Sequence, residues 1–312
     1  MNQTVSDRGR LRALVIGQGS IGRRHARLLD EAGMDVATVS RAAPEAFRSL
    51  DEVPQLAGIG YAVVANDTAG HARALSQLAA ARFAGRVLVE KPIFAAPQAD
   101  VPALPFPLLR VGYNLRMHPV VLELKRRLVD RQVVAVRMHA GQYLPDWRPG
   151  TDFRTGSSAR GDLGGGVLRD LSHELDLMRF LFGPWTRLVA VRAARTVLDI
   201  ETDEAWSIVF ELISGALVTL TLNYHDRPAE RRYVATTNSG TIVADVISGV
   251  VQEADDCFRA TVARDETYRL MHRDMLEGDG GMLCTYEQGV DVVRTIAAIE
   301  RSAAEGVWVD DE

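Results

Sequence analysis

The sequence predicts an α/β domain followed by an α+β domain. Three observations support this: strands and helices alternate through the first 112 residues, a glycine-rich turn follows the first strand, and long alternating apolar and polar segments fill the second half. We expect residues 1–112 to form a dinucleotide-binding Rossmann domain with a doubly wound parallel sheet. Residues 113–312 are expected to form a substrate-binding domain with a large, mostly antiparallel open sheet and helices on one face.

The first domain is predicted from its strand–helix alternation. Apolar strands at 12–17, 35–40, 61–65, 87–90 and 108–113 are separated by helical patterns, one ending near Gly33 and one covering about 69–81. This alternation is typical of a parallel sheet with crossover helices. Prolines 97, 102, 105 and 107 argue against a long helix before the last of these strands.

Strand patterns of period two dominate the second domain. They cover 133–144, 188–198, 205–213, 216–224, 232–237 and 241–246, with a two-residue hairpin signal at Ser214–Gly215. Helical patterns occur at 166–182 and 285–304. A wide sheet needs cover on its second face, so we expect a homodimer or homotetramer assembled through the C-terminal sheet.

The composition argues against several classes of protein. The net charge of -5 and the lack of a basic stripe disfavour a nucleic-acid partner, and no apolar run is long enough to span a membrane. The only cysteines, Cys257 and Cys284, cannot build a disulfide framework or a thiolate cluster, and the seven histidines lack metal-ligand spacing. The first ten residues are too polar for a signal peptide. We therefore expect a cytoplasmic protein that binds no metal.

The turn after the first strand matches the pattern G-x-G-x-x-G. The first glycine permits a tight turn, the second admits a pyrophosphate close to the backbone, and the third allows helix and strand to pack closely. A flexible glycine loop is the alternative, but a match placed between a strand and a helix favours a dinucleotide site. The predicted cofactor-binding residues of this turn are Gly17, Gln18, Gly19, Ser20, Ile21 and Gly22.

The end of the second predicted strand indicates which dinucleotide binds. Ser40 and Arg41 stand where an NAD site normally has a carboxylate for the adenosine ribose. A guanidinium can hold a 2′-phosphate through two hydrogen bonds. We therefore expect NADP, with NAD as the alternative if Arg41 is an ordinary solvated side chain.

Lys91 is one of only two lysines among 36 basic residues. It follows a buried strand within the sequence Glu90-Lys91-Pro92, and ligands of doubly wound sheets bind at the carboxyl ends of strands. The pKa of a lysine ammonium can shift enough for proton donation, which a guanidinium does not allow. The alternative is a solvated lysine beside a turn, as we expect for Lys125 in its charged run.

One histidine lies on the polar face of a predicted helix. At about 100° per residue, His173 falls opposite the apolar stripe and within about 60° of Asp170 and Asp176. Neighbouring carboxylates would orient the imidazole and keep its pKa in a range useful for a general base. The alternative is an ordinary surface histidine.

Taken together, these segments resemble the glucose-fructose oxidoreductase / inositol dehydrogenase / MocA family over nearly the whole chain. The matching segments are GQGSIGRRH, VVANDTAGH, VLVEKP, GYNLRMHP, GGGVLRDLSHELDLMRFLFG and CTYEQGVDVVRTIAAIERSAAEGVWV. The resemblance implies an NAD(P)-dependent dehydrogenase or reductase acting on a secondary hydroxyl. YLPDWRP and DFR with LSHELD resemble a branch associated with surface-polysaccharide sugars, so we expect a sugar, nucleotide-sugar or cyclitol-like substrate.

The resemblance also implies site residues. Lys91 corresponds to the lysine near the nicotinamide, His173 to the acid/base histidine, and Asp170 to its acidic partner. Asp170 and His173 are three residues apart where the family commonly has four, so Asp176 competes for that role. The other implied cofactor contacts are Asn66, Thr68, His71 and Glu90, and the implied substrate contacts are Tyr113, Asn114, Arg116, Trp147, Arg154 and Asp176.

Two other functions stay open at this point. One is redox-neutral elimination or hydrolysis of a sugar through transient reduction of the cofactor. The other is a non-catalytic protein that senses dinucleotides, because fold alone does not establish catalysis. The presence of both Lys91 and His173 argues against a pure sensor.

Overall fold

A computed structural model describes residues 11–98, 103–194 and 197–311. Its N-terminal part is a parallel sheet with two long helices. The elements are β1 (Arg12–Ile16), α1 (Ser20–Glu31), β2 (Asp35–Val39), β3 (Tyr61–Val64), α2 (His71–Ala80), β4 (Arg86–Val89) and β5 (Leu109–Val111). These five strands are parallel and lie in the order β5-β4-β3-β1-β2.

The strand order places a crevice at the carboxyl ends of β1 and β3. The chain proceeds from β1 to β2 on one side and then crosses to β3 on the other. Such a reversal of strand order is where ligands bind in open α/β sheets. All four residues of β3 are buried because helices cover both faces of the sheet.

The second part of the chain forms a nine-stranded sheet with helices on one face. In chain order the elements are α3 (Pro119–Arg127), β6 (Val133–Gly141), α4 (Val167–Asp170), α5 (His173–Phe182), β7 (Trp185–Arg192), β8 (Ala205–Leu212), β9 (Leu217–Asn223), β10 (Glu230–Thr237), β11 (Gly240–Asp245), β12 (Val250–Glu253), β13 (Asp256–Arg259), α6 (Glu266–Glu277), β14 (Cys284–Thr285), α7 (Tyr286–Glu305) and β15 (Val309–Asp310). The strand order is β13-β12-β11-β10-β6-β9-β8-β7-β15. Within the described residues of this sheet, only β6 and β9 pair in parallel, so the predicted mostly antiparallel sheet is confirmed.

The chain returns to the first sheet after completing the second. The short strand β14 pairs antiparallel with β5, and α6 packs against α1. Nothing in the sequence indicated this return, because a two-residue strand has no measurable period. The division at residue 112 stays a prediction about how the chain is organised.

Several predicted boundaries were wrong. The single helix predicted over 166–182 is two helices, because the chain leaves the helical path between Asp170 and His173. The strand predicted over 133–144 ends at Gly141. The strand predicted over 188–198 is β7 and ends at Arg192; residues 195 and 196 lie outside the described residues. The backbone amides of Val197 and Leu198 donate hydrogen bonds to the carboxylate of Glu204 instead.

No helix among the described residues combines the length and apolar character needed to cross a membrane.

Candidate active site

The glycine turn between β1 and α1 is shaped by close backbone contacts. Gly17 has a φ of +104°, and a Cβ there would lie 2.4 Å from the backbone nitrogen of Asn66. A Cβ on Gly22 would lie 2.1 Å from the carbonyl oxygen of Gly17. A Cβ on Gly19 would meet nothing within 4 Å. The first and third glycines are therefore needed for packing, whereas the space at Gly19 stays open at the start of α1, as the approach of a pyrophosphate requires.

Two polar atoms beside this turn fit a dinucleotide. Gln18 Nε2 and Asn66 Oδ1 are buried, and neither has a hydrogen-bond partner among the described residues. A buried polar atom without a partner is costly, so these two offer one donor and one acceptor to a bound group. Ser20 and Ile21 form the first turn of α1, whose leading amides are available to phosphate oxygens.

Ser40 and Arg41 follow β2 at the same edge of the sheet. The amide of Ser40 donates to the carbonyl oxygen of Phe47 at 2.9 Å, which fixes the turn. The side chain of Arg41 is exposed, and no acidic side chain in the described ranges pairs with it. Its guanidinium is therefore available to an anion.

His71 lies behind the wall of the crevice. It is 1% exposed; its Nε2 lies 3.0 Å from the carbonyl oxygen of Asn66, and its Nδ1 lies 3.2 Å from that of Pro92. Burial lowers the pKa of His71. The imidazole thus links the end of β3 to the segment after Lys91, while Thr68 is half-buried in the turn before α2.

Lys91 reaches from the first sheet to a helix of the second part of the chain. Its Nζ donates to the main-chain carbonyl oxygen of Asp170 at 2.8 Å. The carboxylate of Asp170 accepts a hydrogen bond of 2.6 Å from the hydroxyl of Tyr224, at the end of β9. Burial and the nearby Asp170 raise the pKa of Tyr224, so its hydroxyl keeps the proton that it donates.

His173 begins α5 next to this group. Its Nδ1 is buried and has no partner among the described residues, and its ring lies edge-on to that of Tyr113 at 5.5 Å. Burial, then the charges of Lys91 and Arg231, hold the pKa of His173 well below its ordinary value. At neutral pH His173 is therefore in the neutral form that a general base requires.

The expected pairing of His173 with a carboxylate was wrong. In the described part of the chain, neither Asp170 nor Asp176 forms a hydrogen bond with it, because the break before α5 invalidates the projection of one continuous helix. Asp176 instead pairs with Arg116, whose Nε and Nη2 lie 2.6–3.1 Å from the two carboxylate oxygens.

The Arg116–Asp176 pair is almost fully buried, with side-chain exposures of 2% and 1%. Arg116 also donates to the Oε1 of Gln288 at 2.8 Å. Both residues were expected to contact substrate, but the structure turns them toward each other and toward α7. Burial raises the pKa of Asp176 in spite of Arg116.

The other expected substrate residues are distributed unevenly. Tyr113 lies beside His173, and its hydroxyl is 3.4 Å from the Oγ of Ser172. Asn114 is buried and donates to the Oγ1 of Thr267 on α6 at 2.7 Å, so its amide serves that contact. Trp147 lies edge-on to Tyr224 at 5.4 Å with its indole nitrogen buried and unpaired among the described residues. Arg154 is half-exposed and lies 3.4 Å from Asp152.

Sequence reasoning missed two residues of this site, Tyr224 and Arg231. Arg231 on β10 has its Nε 2.7 Å from Oε1 of Glu174, the residue after His173. The same oxygen accepts a hydrogen bond of 3.0 Å from Tyr233. Neither residue stands in a motif; the strand arrangement brings Tyr224 to Asp170 on α4 and Arg231 to Glu174 on α5.

One group of residues on the second sheet has its side-chain ligand atoms close together. Atoms of His139, Asp226 and Glu230 all lie within 4.8 Å of one another, with a contact of 2.6 Å between His139 and Asp226. The group is partly exposed, and exposed acidic groups of this kind are common without an ion.

Comparisons with known proteins agree with this fold. Residues 121–243 match the family model of the GFO/IDH/MocA C-terminal domain. The sequence resemblance to that family is therefore confirmed over these residues. A comparison with curated proteins gives no match.

Several solved structures share the fold over almost their whole length. Levoglucosan dehydrogenase in complex with NADH and levoglucosan is 18% identical, with 97% of this chain and 99% of that chain covered and a TM-score of 0.81. GenD2 from gentamicin A biosynthesis in complex with NAD is 22% identical, with 100% and 99% covered and a TM-score of 0.77. A putative myo-inositol dehydrogenase from Sinorhizobium meliloti 1021 is 21% identical, with 96% and 99% covered and a TM-score of 0.73.

Proposed function

We propose that this chain, which carries a GFO/IDH/MocA C-terminal domain beside a dinucleotide-binding fold, is an NAD(P)-dependent dehydrogenase or reductase. Its substrate is a sugar, nucleotide sugar or cyclitol-like compound with a reacting secondary hydroxyl. One observation carries the proposal: Lys91, at the end of a Rossmann strand, reaches the helix pair that bears Asp170 and His173. The charge of Lys91 also lowers the pKa of His173, which supports a joint role of the two side chains in moving a proton.

The roles of the side chains follow from their charges. The nicotinamide supplies hydride acceptance or donation when it is bound. The neutral imidazole of His173 accepts the proton of the substrate hydroxyl during oxidation, and the ammonium of Lys91 stabilises the developing negative charge on that oxygen. Reduction uses the same groups in reverse. Tyr224 holds the carboxylate of Asp170 beside them.

The ligands bound in the similar structures support this substrate class. Levoglucosan dehydrogenase binds levoglucosan and NADH, and GenD2 binds NAD. Both are cofactor-bound structures of the same fold. Trp147, with a free indole N–H beside Tyr224, offers a donor and an apolar ring to a carbohydrate.

The test is a panel of sugars, nucleotide sugars and cyclitols incubated with NAD and with NADP. We expect reduced nicotinamide to accumulate in proportion to the product for at least one compound. Product without accumulation of reduced cofactor would identify the redox-neutral reaction instead. Tight cofactor binding without conversion of any compound, in either direction, would identify a sensor.

The unpaired guanidinium of Arg41 supports NADP as the preferred cofactor. Arg41→Ala is expected to raise the KM for NADP about tenfold and to leave that for NAD unchanged. Arg192→Ala, at the exposed end of β7, is the matched control. An equal effect of Arg41→Ala on both cofactors would leave NAD as the proposed cofactor.

The outer face of the nine-stranded sheet supports self-association. One register row on this face runs through Val189, Val209, Thr219, Arg137, Val234 and Val243, so two valine pairs flank a polar centre. The half-buried valine pairs favour a partner, and a second copy of the chain would match them by symmetry. Gel filtration at two concentrations, with Val209→Lys and Val234→Lys as variants, should show a dimer or tetramer that the variants dissociate.

A cytoplasmic location stays a prediction, which fractionation of the source cells would check.

A further inference from the structure

A buried chain of hydrogen bonds lies behind the proposed site and takes no part in the proposed transfer of the proton and hydride. Three contacts of 2.9 Å join Glu90 Oε1 to His25 Nε2, His25 Nδ1 to His272 Nε2, and His272 Nδ1 to the hydroxyl of Tyr61. All four side chains are buried, with exposures between 0% and 7%. They come from four different elements, so no local pattern in the sequence connects them.

With Glu90 ionised and both imidazoles neutral, the protons of this chain have one arrangement that gives every nitrogen and oxygen a partner. Although burial raises the pKa of Glu90, the hydrogen bond from His25 and the charge of Lys91 hold it below its ordinary value. The carboxylate is therefore an acceptor, and His25 donates through Nε2. His25 Nδ1 then accepts from Nε2 of His272, and His272 Nδ1 accepts from Tyr61.

The two distal groups fit this direction. Burial holds the pKa of His272 well below its ordinary value, so this imidazole is neutral and carries one proton. Burial holds the pKa of Tyr61 well above its ordinary value, so the hydroxyl keeps its proton and donates it to His272. Every donor in the chain thus points toward Glu90.

This chain of hydrogen bonds ends at the backbone amide of Lys91. Glu90 Oε2 accepts a hydrogen bond of 3.1 Å from the amide of Lys91, whose ammonium bonds to Asp170 on the other side. Lys91 is thus held at both ends. We propose that His25 and His272 are positioning residues that hold the carboxylate of Glu90 against the amide of Lys91. Turnover as a readout rests on the proposed function, whereas the proton arrangement does not.

The groups around Glu90 define what its titration would depend on. The titratable side chains that face it are Lys91, His25 from α1, His71 from α2, Tyr61 from β3 and Tyr268 from α6. Only His25 donates a side-chain hydrogen bond to the carboxylate. Without this bond, burial dominates and raises the pKa of Glu90, so the carboxyl gains a proton as the pH falls and loses its hold on the Lys91 amide.

His25→Leu and His25→Gln form the first test. We expect His25→Leu to lower kcat on the order of tenfold with little change in KM, and to add an acidic limb to the pH profile of kcat. His25→Gln keeps a donor for Glu90 and an acceptor for His272, and should restore most of kcat at neutral pH. Thr295→Val, which removes the acceptor of a buried 3.1 Å hydrogen bond from Trp185, is the control. It should add no acidic limb to the pH profile of kcat.

Nitrogen NMR of histidine-labelled protein is the second test and needs no substrate. We expect both His25 and His272 to carry the proton on Nε2, and Tyr61→Phe to shift the Nδ1 signal of His272. A proton on Nδ1 of His272, or a folded His25→Leu enzyme with the parental pH profile, would overturn the proposal. If no compound is turned over, the proposed function has failed. The NMR result alone then tests the proton arrangement of His25 and His272. If His25→Leu does not fold, Tyr61→Phe replaces it, with a smaller loss of kcat expected.

Discussion

The ammonium of Lys91 lies 2.8 Å from the main-chain oxygen of Asp170 and so joins the Rossmann sheet to α4 of the second part of the chain. This contact brings a group from the end of β4 next to His173, 82 positions further along the sequence. It defines where a substrate hydroxyl would have to lie. The predictions below test this arrangement and the elements that support it.

The two lysines provide a matched pair. Like Lys91, Lys125 is partly buried and donates to a main-chain oxygen, that of Phe180, at 3.0 Å. We expect Lys91→Ala to retain dinucleotide binding and to lose turnover on the order of a hundredfold, because a charge-stabilising donor is removed. Lys125→Ala should keep turnover within a few fold. Equal losses in the two variants, measured by steady-state kinetics, would contradict the assigned role of Lys91.

His173 gives a prediction about pH. Its folded pKa lies well below 6.5, so the neutral base is fully present above that folded pKa and is lost only as the pH falls through it. kcat/KM for oxidation should therefore show no loss attributable to His173 near pH 6.5. His173→Asn should lower turnover about a hundredfold with cofactor binding retained.

Arg231→Met tests the cause of that low pKa. Removing the guanidinium removes one of the two positive charges that oppose protonation of His173. The acidic limb of kcat/KM should consequently move to higher pH. A limb that stays in place, in a variant that folds normally by circular dichroism, would show that burial and Lys91 alone determine the pKa.

Variants at two glycines of the turn should distinguish a loss of packing from a loss of cofactor binding. Gly22→Ala forces a Cβ against the backbone of Gly17, so we expect a lower unfolding temperature and loss of cofactor binding together. Gly19→Ala meets no protein atom within 4 Å, so the apo protein should keep its unfolding temperature while NADP affinity falls at least tenfold. Unchanged cofactor affinity in Gly19→Ala would contradict a pyrophosphate site at this turn.

The buried Arg116–Asp176 pair should act on stability. Asp176→Ala leaves a buried guanidinium without its partner, which we expect to cost about 3–5 kcal/mol in the free energy of unfolding. The double variant Arg116→Met, Asp176→Leu should regain most of that loss because neither charge remains. Urea denaturation measures both. A stable Asp176→Ala protein that had lost only substrate affinity would instead support the contact with substrate expected from the sequence.

The sequence determined those features that depend on neighbouring residues. A strand that runs into three spaced glycines and a helix predicts the crevice, because backbone contacts require the first and third glycines and the second leaves space for a pyrophosphate. The rarity of lysine singled out Lys91, and strand periodicity predicted the second sheet, although helix breaks and strand ends were misplaced. Such boundaries depend on which groups accept hydrogen bonds from the backbone amides near the end of an element. After β7, the carboxylate of Glu204 accepts those of Val197 and Leu198.

Only the tertiary structure decided which side chains meet. Asp176 stands on the same helix as His173 yet pairs with Arg116, whereas Tyr224 and Arg231 join the site from strands with no motif. The chain from Tyr61 to Glu90 likewise depends on α6 returning to the first sheet. Hydrogen bonds and ion pairs act over a few ångströms in space and are indifferent to sequence separation, so a linear pattern can propose their members but not their partners.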